Sequence, residues 1–192
     1  LAPPGGELCH ISVLFVDVRG FTSLAERMPP AEVAERLNRF YALASKAIFE
    51  YDGTLDKLVG DQVMAFFGAP LYAKDHPDRA VRVAVRIIEG INDLAESEGM
   101  KVGAGIATGD AFVGNVGEGA VADYTVLGDT VNVAARLQGA AAAGEILLTE
   151  ETYAHVAGIF PDVPSHEIEL KGKSEPVRAR AIVVGDVGRQ RS

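Results

Sequence analysis

HISVLFVDV, residues His10 to Val18, is a nearly unbroken apolar and β-branched run with an aspartate one residue from its end. A run of this kind, without the alternation of a half-exposed strand, is the pattern of a buried central strand. The sequence that follows supplies its neighbours. Arg19-Gly20-Phe21-Thr22-Ser23 reads as a turn in which Thr22 or Ser23 can cap a short helix. After Pro29 and Pro30 a helix is predicted from Ala31 to about Tyr51, with Val33, Leu37, Phe40, Tyr41, Ala44 and Ile48 on one face. Thr54–Val59 and Gln62–Phe67 are strands joined by the two-residue turn Gly60-Asp61. A second helix, about Asp78 to Glu98, carries Ala80, Val81, Ala84, Val85, Ile88 and Ile91, and Lys101–Thr108 follows as a strand. Strand, helix, strand, strand, helix, strand is the ferredoxin-like order. It predicts an α+β fold, an antiparallel sheet with helices on one face.

Beyond that unit, Gly109 to Ala122 is glycine-rich and reads as an excursion or arm. A third helix is expected from Thr130 to about Ala142. Glu145–Thr149, Glu167–Lys171 and Val177–Val184 are expected to add C-terminal strands to the core. One domain, residues 9–184, is expected between an N-terminal tail (1–8) and a C-terminal tail (185–192). Leu1, Pro3, Pro4, Gly5 and Gly6 read as a linker cut from a longer protein, so regulatory or membrane parts would lie outside this sequence.

Composition restricts the partners. A formal net charge of -9 repels nucleic acid and anionic membrane surfaces, and a polyanionic ligand would need local cations or bound metal. The lone cysteine, Cys9, excludes an intramolecular disulfide and favours a reducing compartment. No apolar run is long enough to span a membrane and no signal peptide is evident, so direct membrane insertion is not expected and a cytoplasmic location is. The four histidines are scattered without metal-ligand spacing, and no nucleophile elbow or P-loop occurs.

Some residues suit chemistry. Asp17 ends the first strand and Asp61 sits at a hairpin tip, where two carboxylates repel unless a cation lies between them. Magnesium-like ions take such oxygen ligands, although for either aspartate alone turn and capping chemistry is the commoner reason to stand there. The Arg19–Thr22 turn can point N–H groups at a phosphate. Asn132 and Arg136, four apart on the third helix, share a face that is either exposed and polar or able to hold a sugar and a phosphate. Lys57 on its strand, and Lys171 and Lys173 in LKGKSEP, read singly as solvated lysines.

Together these residues resemble the class III adenylyl and guanylyl cyclase family. FVDVRGFT (Phe15 to Thr22), KLVGD (Lys57 to Asp61), GIATGDAFVGNVG (Gly105 to Gly117) and YTVLGDTVNVAAR (Tyr124 to Arg136) stand in that family's order and spacing. The resemblance spans about Ile11 to Val184. It implies that Asp17 and Asp61, with the Val18 carbonyl, bind two divalent ions, Mg2+ or Mn2+. It implies that the backbone of Arg19, Gly20, Phe21 and Thr22 cradles the β- and γ-phosphates and that Lys171 contacts the terminal phosphates. Lys57 and Thr125 would read the base, Asn132 would orient the ribose, and Arg136 would stabilise charge on the α-phosphate. The implied activity is conversion of ATP to cyclic AMP and pyrophosphate, at sites shared between two copies of the chain. The pattern departs at Thr125, where many members carry aspartate and a neutral hydroxyl is a less committed acceptor for the adenine amino group. Lys57, a donor only, still argues for adenine. The alternative is a catalytically weak nucleotide-binding homology domain that regulates a partner. A diguanylate cyclase or polymerase-palm relative is disfavoured by GDTVN followed by AAR.

Overall fold

Residues Ile11 to Val16 are all buried and form the centre of β1 (Glu7–Val18). The structure, a computed structural model, describes residues 5–119 and 122–185. The linker reading of Leu1, Pro3 and Pro4, the C-terminal tail beyond Gly185, and residues 120–121 of the expected arm lie outside the described residues. After β1 come α1 (Phe21–Arg27), α2 (Pro30–Glu50), β2 (Thr54–Val59), β3 (Gln62–Phe67), α3 (His76–Glu98), β4 (Val102–Val116) and β5 (Asp123–Leu127). The remainder is α4 (Asp129–Ala140), β6 (Glu145–Thr149), α5 (Glu150–Val156), β7 (Ser165–Ile168) and β8 (Val177–Val183).

Among the described residues the strands form one eight-stranded sheet in the order β2-β3-β1-β4-β6-β8-β7, with β5 paired to β4 beside that path. The segment β2-β3-β1-β4, antiparallel throughout, is the ferredoxin-like core that the element order predicts. The C-terminal strands join it through a parallel β4–β6 pairing.

Alternation along β1 sorts the core into two layers. Leu14, Val16 and Val18 pack with Phe40, Ala44 and Ile48 of α2 and with Ile87, Ile88 and Ile91 of α3. Ile11, Val13 and Phe15 pack with Val133, Ala134 and Leu137 of α4. Helices on one face alone were expected; α4 covers part of the other. A strand apolar on both sides needs cover on both, and α4 supplies it at very close range. A Cβ at Gly105 of β4 would lie 2.2 Å from the Gln138 backbone nitrogen and 2.4 Å from the Ala134 carbonyl oxygen, so the helix backbone rests directly on the strand.

Two further expectations change, and one element is new. Gly109–Val116 is not an excursion: β4 runs through it, with Ala111 and Val113 buried, pairing with β1 on one side and β5 on the other. Its glycines weaken the strand pattern in the sequence. α5 was not anticipated, although Thr149 caps it, its hydroxyl accepting the Thr152 N–H at 3.4 Å. The strand expected at Glu167–Lys171 lies earlier, at Ser165–Ile168, and Leu170 is tucked into the core beneath the turn that follows.

Candidate active site

The end of β1 and the β2–β3 turn meet because Asp17 pairs with Gln62 in register, and the Val18 N–H donates to the Asp61 carbonyl at 3.1 Å. Gly60 takes φ 58° at the first central position of the turn, the arrangement of a type II′ hairpin, which accounts for the order Gly-Asp. The Tyr41 hydroxyl, from α2, donates to the Gly60 carbonyl and ties the turn to the helix layer. Asp61 is thereby held against Asp17. Burial first, then a shared hydrogen bond with Asp61 and the repulsion of its charge, push the Asp17 carboxyl up to about 7. Arg19 and the Gln138 side chain oppose that rise.

Asp17 Oδ1 is buried without a hydrogen-bond partner. An orphaned anionic oxygen beside a second carboxylate is relieved by a proton or by a hard cation, and Mg2+ or Mn2+ takes such oxygen donors. Among the described residues no group of three or more His, Cys, Asp or Glu side chains is gathered, so this is a two-carboxylate set. The donor set fits a divalent ion.

Gln138 was not singled out in the sequence, yet it organises this end of the site. Its Oε1 accepts from Gln62 Nε2 at 3.1 Å and its carbonyl accepts from Arg19 Nη2 at 3.0 Å. The signal was a polar residue on the buried stripe Ala134, Leu137 of α4, continued by Ala141 at its C-cap. Of the Arg19–Thr22 turn, the Arg19 N–H is already given to the Lys101 carbonyl at 2.7 Å. The N–H groups of Phe21 and Thr22 open α1, where a helix leaves donors without internal acceptors.

A second cluster forms around Lys57 and Thr125, distant in sequence. Thr125 lies on β5, buried with 7% exposure, and its Oγ1 donates to Asp56 Oδ2 at 2.6 Å. Lys57 Nζ donates to Asp56 Oδ1 at 2.9 Å and lies 3.9 Å from Asp123. The bridging Asp56 was missed, because regular alternation puts adjacent residues on opposite faces. The β2–β3 register shifts between Leu55 and Lys57, so Asp56 is the extra residue of a bulge, and bulges re-aim side chains.

On α4, Asn132 is exposed and Arg136 half-buried, its guanidinium against Gly172 in the turn that also carries Lys171. Among the described residues no carboxylate pairs with Arg136 or Lys171, whereas Lys173 is bound to Asp129 at 2.5 Å. The expected residues therefore fall into groups: Asp17 with Asp61, Lys57 with Thr125, and Arg136 beside the Lys171 turn. Among the described residues no hydrogen bond or ion pair joins Lys57 or Thr125 to the two aspartates.

Residues 6–180 match the model of the adenylate and guanylate cyclase catalytic domain. The chain is 36% identical over 136 residues to adenylate cyclase 1 of Rhizobium meliloti, covering 68% of this chain and 20% of that protein. Among solved structures it resembles the adenylyl cyclase CyaB of P. aeruginosa, at 34% identity and a TM-score of 0.83, over 92% of this chain and 95% of that one. It also resembles the guanylyl cyclase Cya2, at 28% identity and a TM-score of 0.86, over 94% of both chains. The chain spans about a third or less of the length of the curated relatives it matches.

Proposed function

The chain belongs to the adenylate and guanylate cyclase catalytic domain family, and on that premise we propose that residues 9–184 are an adenylyl cyclase domain converting ATP to cyclic AMP and pyrophosphate. The observation that carries this reading is the carboxylate pair. Asp17 and Asp61 are brought into contact at a cost, with one buried oxygen orphaned, and a domain that only packed or bound a partner would have no use for that repulsion.

Lys57 and Thr125 hold the adenine, Asn132 orients the ribose, and Arg136 stands where charge develops on the α-phosphate. The Phe21 and Thr22 amides and Lys171 hold the β- and γ-phosphates. Asp17 and Asp61, with the Val18 carbonyl, hold two divalent ions, Mg2+ or Mn2+. When bound, such ions lower the pKa of the attacking hydroxyl and neutralise the leaving group. The ribose 3′-oxygen bonds to the α-phosphorus in line as the bond to pyrophosphate breaks, and the hydroxyl proton leaves to solvent. The role of the side chains is to fix that alignment.

A homodimer completes the site, the aspartates of one copy facing the base and ribose residues of the other. Leu58, Val59 and Leu127, which flank Lys57 and Thr125, are 40%, 61% and 50% exposed, an apolar rim suited to cover by a second chain. Among the described residues no helix is long and apolar enough to cross a membrane. The domain acts on ATP in the cytoplasm, without contacting nucleic acid.

The test is product formation from ATP and from GTP, offered separately with Mg2+ or Mn2+. Cyclic AMP as the main product is expected. Nucleotide binding without product would favour the regulatory homology domain, and cyclic GMP as the main product would overturn the base assignment.

A further inference from the structure

The geometry points to Asp56 as the residue that sets the hydrogen-bond polarity of the base pocket, committing Thr125 to accept beside Lys57, which can only donate. This rests on the reading of Lys57 and Thr125 as base contacts. Asp56 is a positioning residue: its side chain is 1% exposed, its remaining exposure being backbone at the edge strand, so it does not face the base itself.

A threonine hydroxyl alone is ambiguous. It offers one O–H donor and two lone pairs, so it could accept from the adenine amino group or donate to the guanine carbonyl equally well. The carboxylate of Asp56 removes that freedom. Beside the Lys57 ammonium it is an acceptor only, so the 2.6 Å contact requires the Thr125 proton to point at Asp56. What Thr125 has left to present is lone pairs. Lys57 gives one of its three N–H donors to Asp56 at 2.9 Å; Asp123, 3.9 Å away, is an ion-pair neighbour beyond hydrogen-bond distance, so two donors are left for a ligand.

The pair therefore offers a donor and an acceptor side by side. Adenine presents the complement on its pairing edge, a ring nitrogen that accepts and an amino group that donates. Guanine presents the reverse, a ring N–H and a carbonyl, and would leave both contacts unmade. The bulge in β2 is what makes this possible, because it breaks the alternation that would put Asp56 and Lys57 on opposite faces, so that one carboxylate takes both the Lys57 ammonium and the Thr125 hydroxyl of β5.

Asp56→Asn tests this, since an amide nearly matches the carboxylate in shape but can hand Thr125 a donor and free its proton for the base. The ATP-to-GTP preference is read as the ratio of kcat/KM and as the ratio of affinities for 3′-deoxy-ATP and 3′-deoxy-GTP with Mn2+, which needs no turnover. The preference is expected to fall about tenfold or more, the scale of one mismatched hydrogen bond. Purine riboside triphosphate, whose base has no exocyclic amino group, should lose less affinity than ATP. A structural role alone would weaken all three nucleotides alike and leave the ratio unchanged, and that result overturns the inference. If Asp56→Asn does not fold, Asp56→Ser, able to accept or donate, should give a reduced preference, and a wild-type ratio in it is equally fatal. Thr125→Val and Lys57→Glu separate the two levels. If they erode the preference while Asp56→Asn does not, Asp56 is misassigned and the base contacts stand. If none of these variants changes the ratio, the base contacts themselves are wrong.

Discussion

Ser12 and Asp17 lie on the same strand, β1, and the fold treats these two polar side chains in opposite ways. Ser12, fully buried, shares hydrogen bonds with His76 Nδ1 at 2.8 Å and Thr108 Oγ1 at 2.7 Å. The chain of hydroxyls continues from Thr108 to Thr152 at 2.8 Å and from Thr152 to Thr149 at 2.9 Å. None of these atoms is orphaned, and the network ties α3 and α5 to the sheet. Asp17, on the opposite face, has a second carboxylate for a neighbour and an oxygen with no partner. Orphaned oxygen alone does not mark a site: Asp78 Oδ1 is orphaned too, but the other oxygen of that carboxylate takes Arg82 Nε at 2.9 Å. A satisfied buried polar group builds the fold, and like charges left uncompensated indicate a ligand that the chain does not supply.

That contrast can be broken by experiment. The largest expected effect is on catalysis. Asp17→Asn or Asp61→Asn should lower turnover by on the order of 10³-fold, the scale of losing an electrostatic group that acts in the transition state. Without metal, thermal unfolding of Asp17→Asn should occur at a higher temperature than wild type, because the carboxylate repulsion is gone. Near-normal turnover at saturating Mn2+, or a lower unfolding temperature, would remove the distinction between the two regions.

Next in size is complementation. If the carboxylate region is completed by a second copy, Asp17→Ala and Arg136→Ala chains, each inactive alone, should recover about a quarter of wild-type specific activity when mixed equally, since half of randomly assorted dimers carry one intact site of two. No recovery despite verified chain exchange would place the whole site within one chain.

The satisfied region should respond through stability instead. Burial, followed by the nearby His10 and His155, depresses the His76 imidazole to about 4, against the weaker upward pull of Asp75. Between the ordinary value of 6.5 and about 4 the unfolded chain therefore binds a proton that the folded chain refuses. Stability from this group is complete above pH 6.5 and falls as pH drops through that window, by about 3 kcal/mol in all. Denaturant titrations of wild type and His76→Gln should diverge over that range, and parallel pH profiles would contradict the assignment. The smallest effect is Ser12→Ala, which leaves His76 and Thr108 each short of a partner and should cost about 1–3 kcal/mol. Its turnover per folded molecule should match wild type, and a loss there comparable to that of Asp17→Asn would show that the two regions are not separate.

How much of this was legible in advance depended on whether the signal was local. β1, the β2–β3 hairpin, α2 and α3 announce themselves by alternation or by a 3.6-residue period, and their observed bounds lie close to those expected. The positions Asp17, Asp61, Lys57, Thr125, Asn132 and Arg136 were picked out by the resemblance of their motifs to the cyclase family; read singly, their types and spacings pointed no further than turns, caps and solvated side chains. The far half of β4 was hidden because glycine weakens a strand pattern, and β5 and α5 because five and seven residues give too little period to read.

The sequence by itself determined the α+β core order and the roster of chemical groups, since both follow from backbone periodicity and side-chain type. Tertiary structure alone decided that α4 lies against Gly105 and delivers Gln138 to the carboxylates, and that a bulge turns Asp56 toward Thr125. Contacts of this kind depend on register and on the close approach of distant backbone, which residue order does not encode locally.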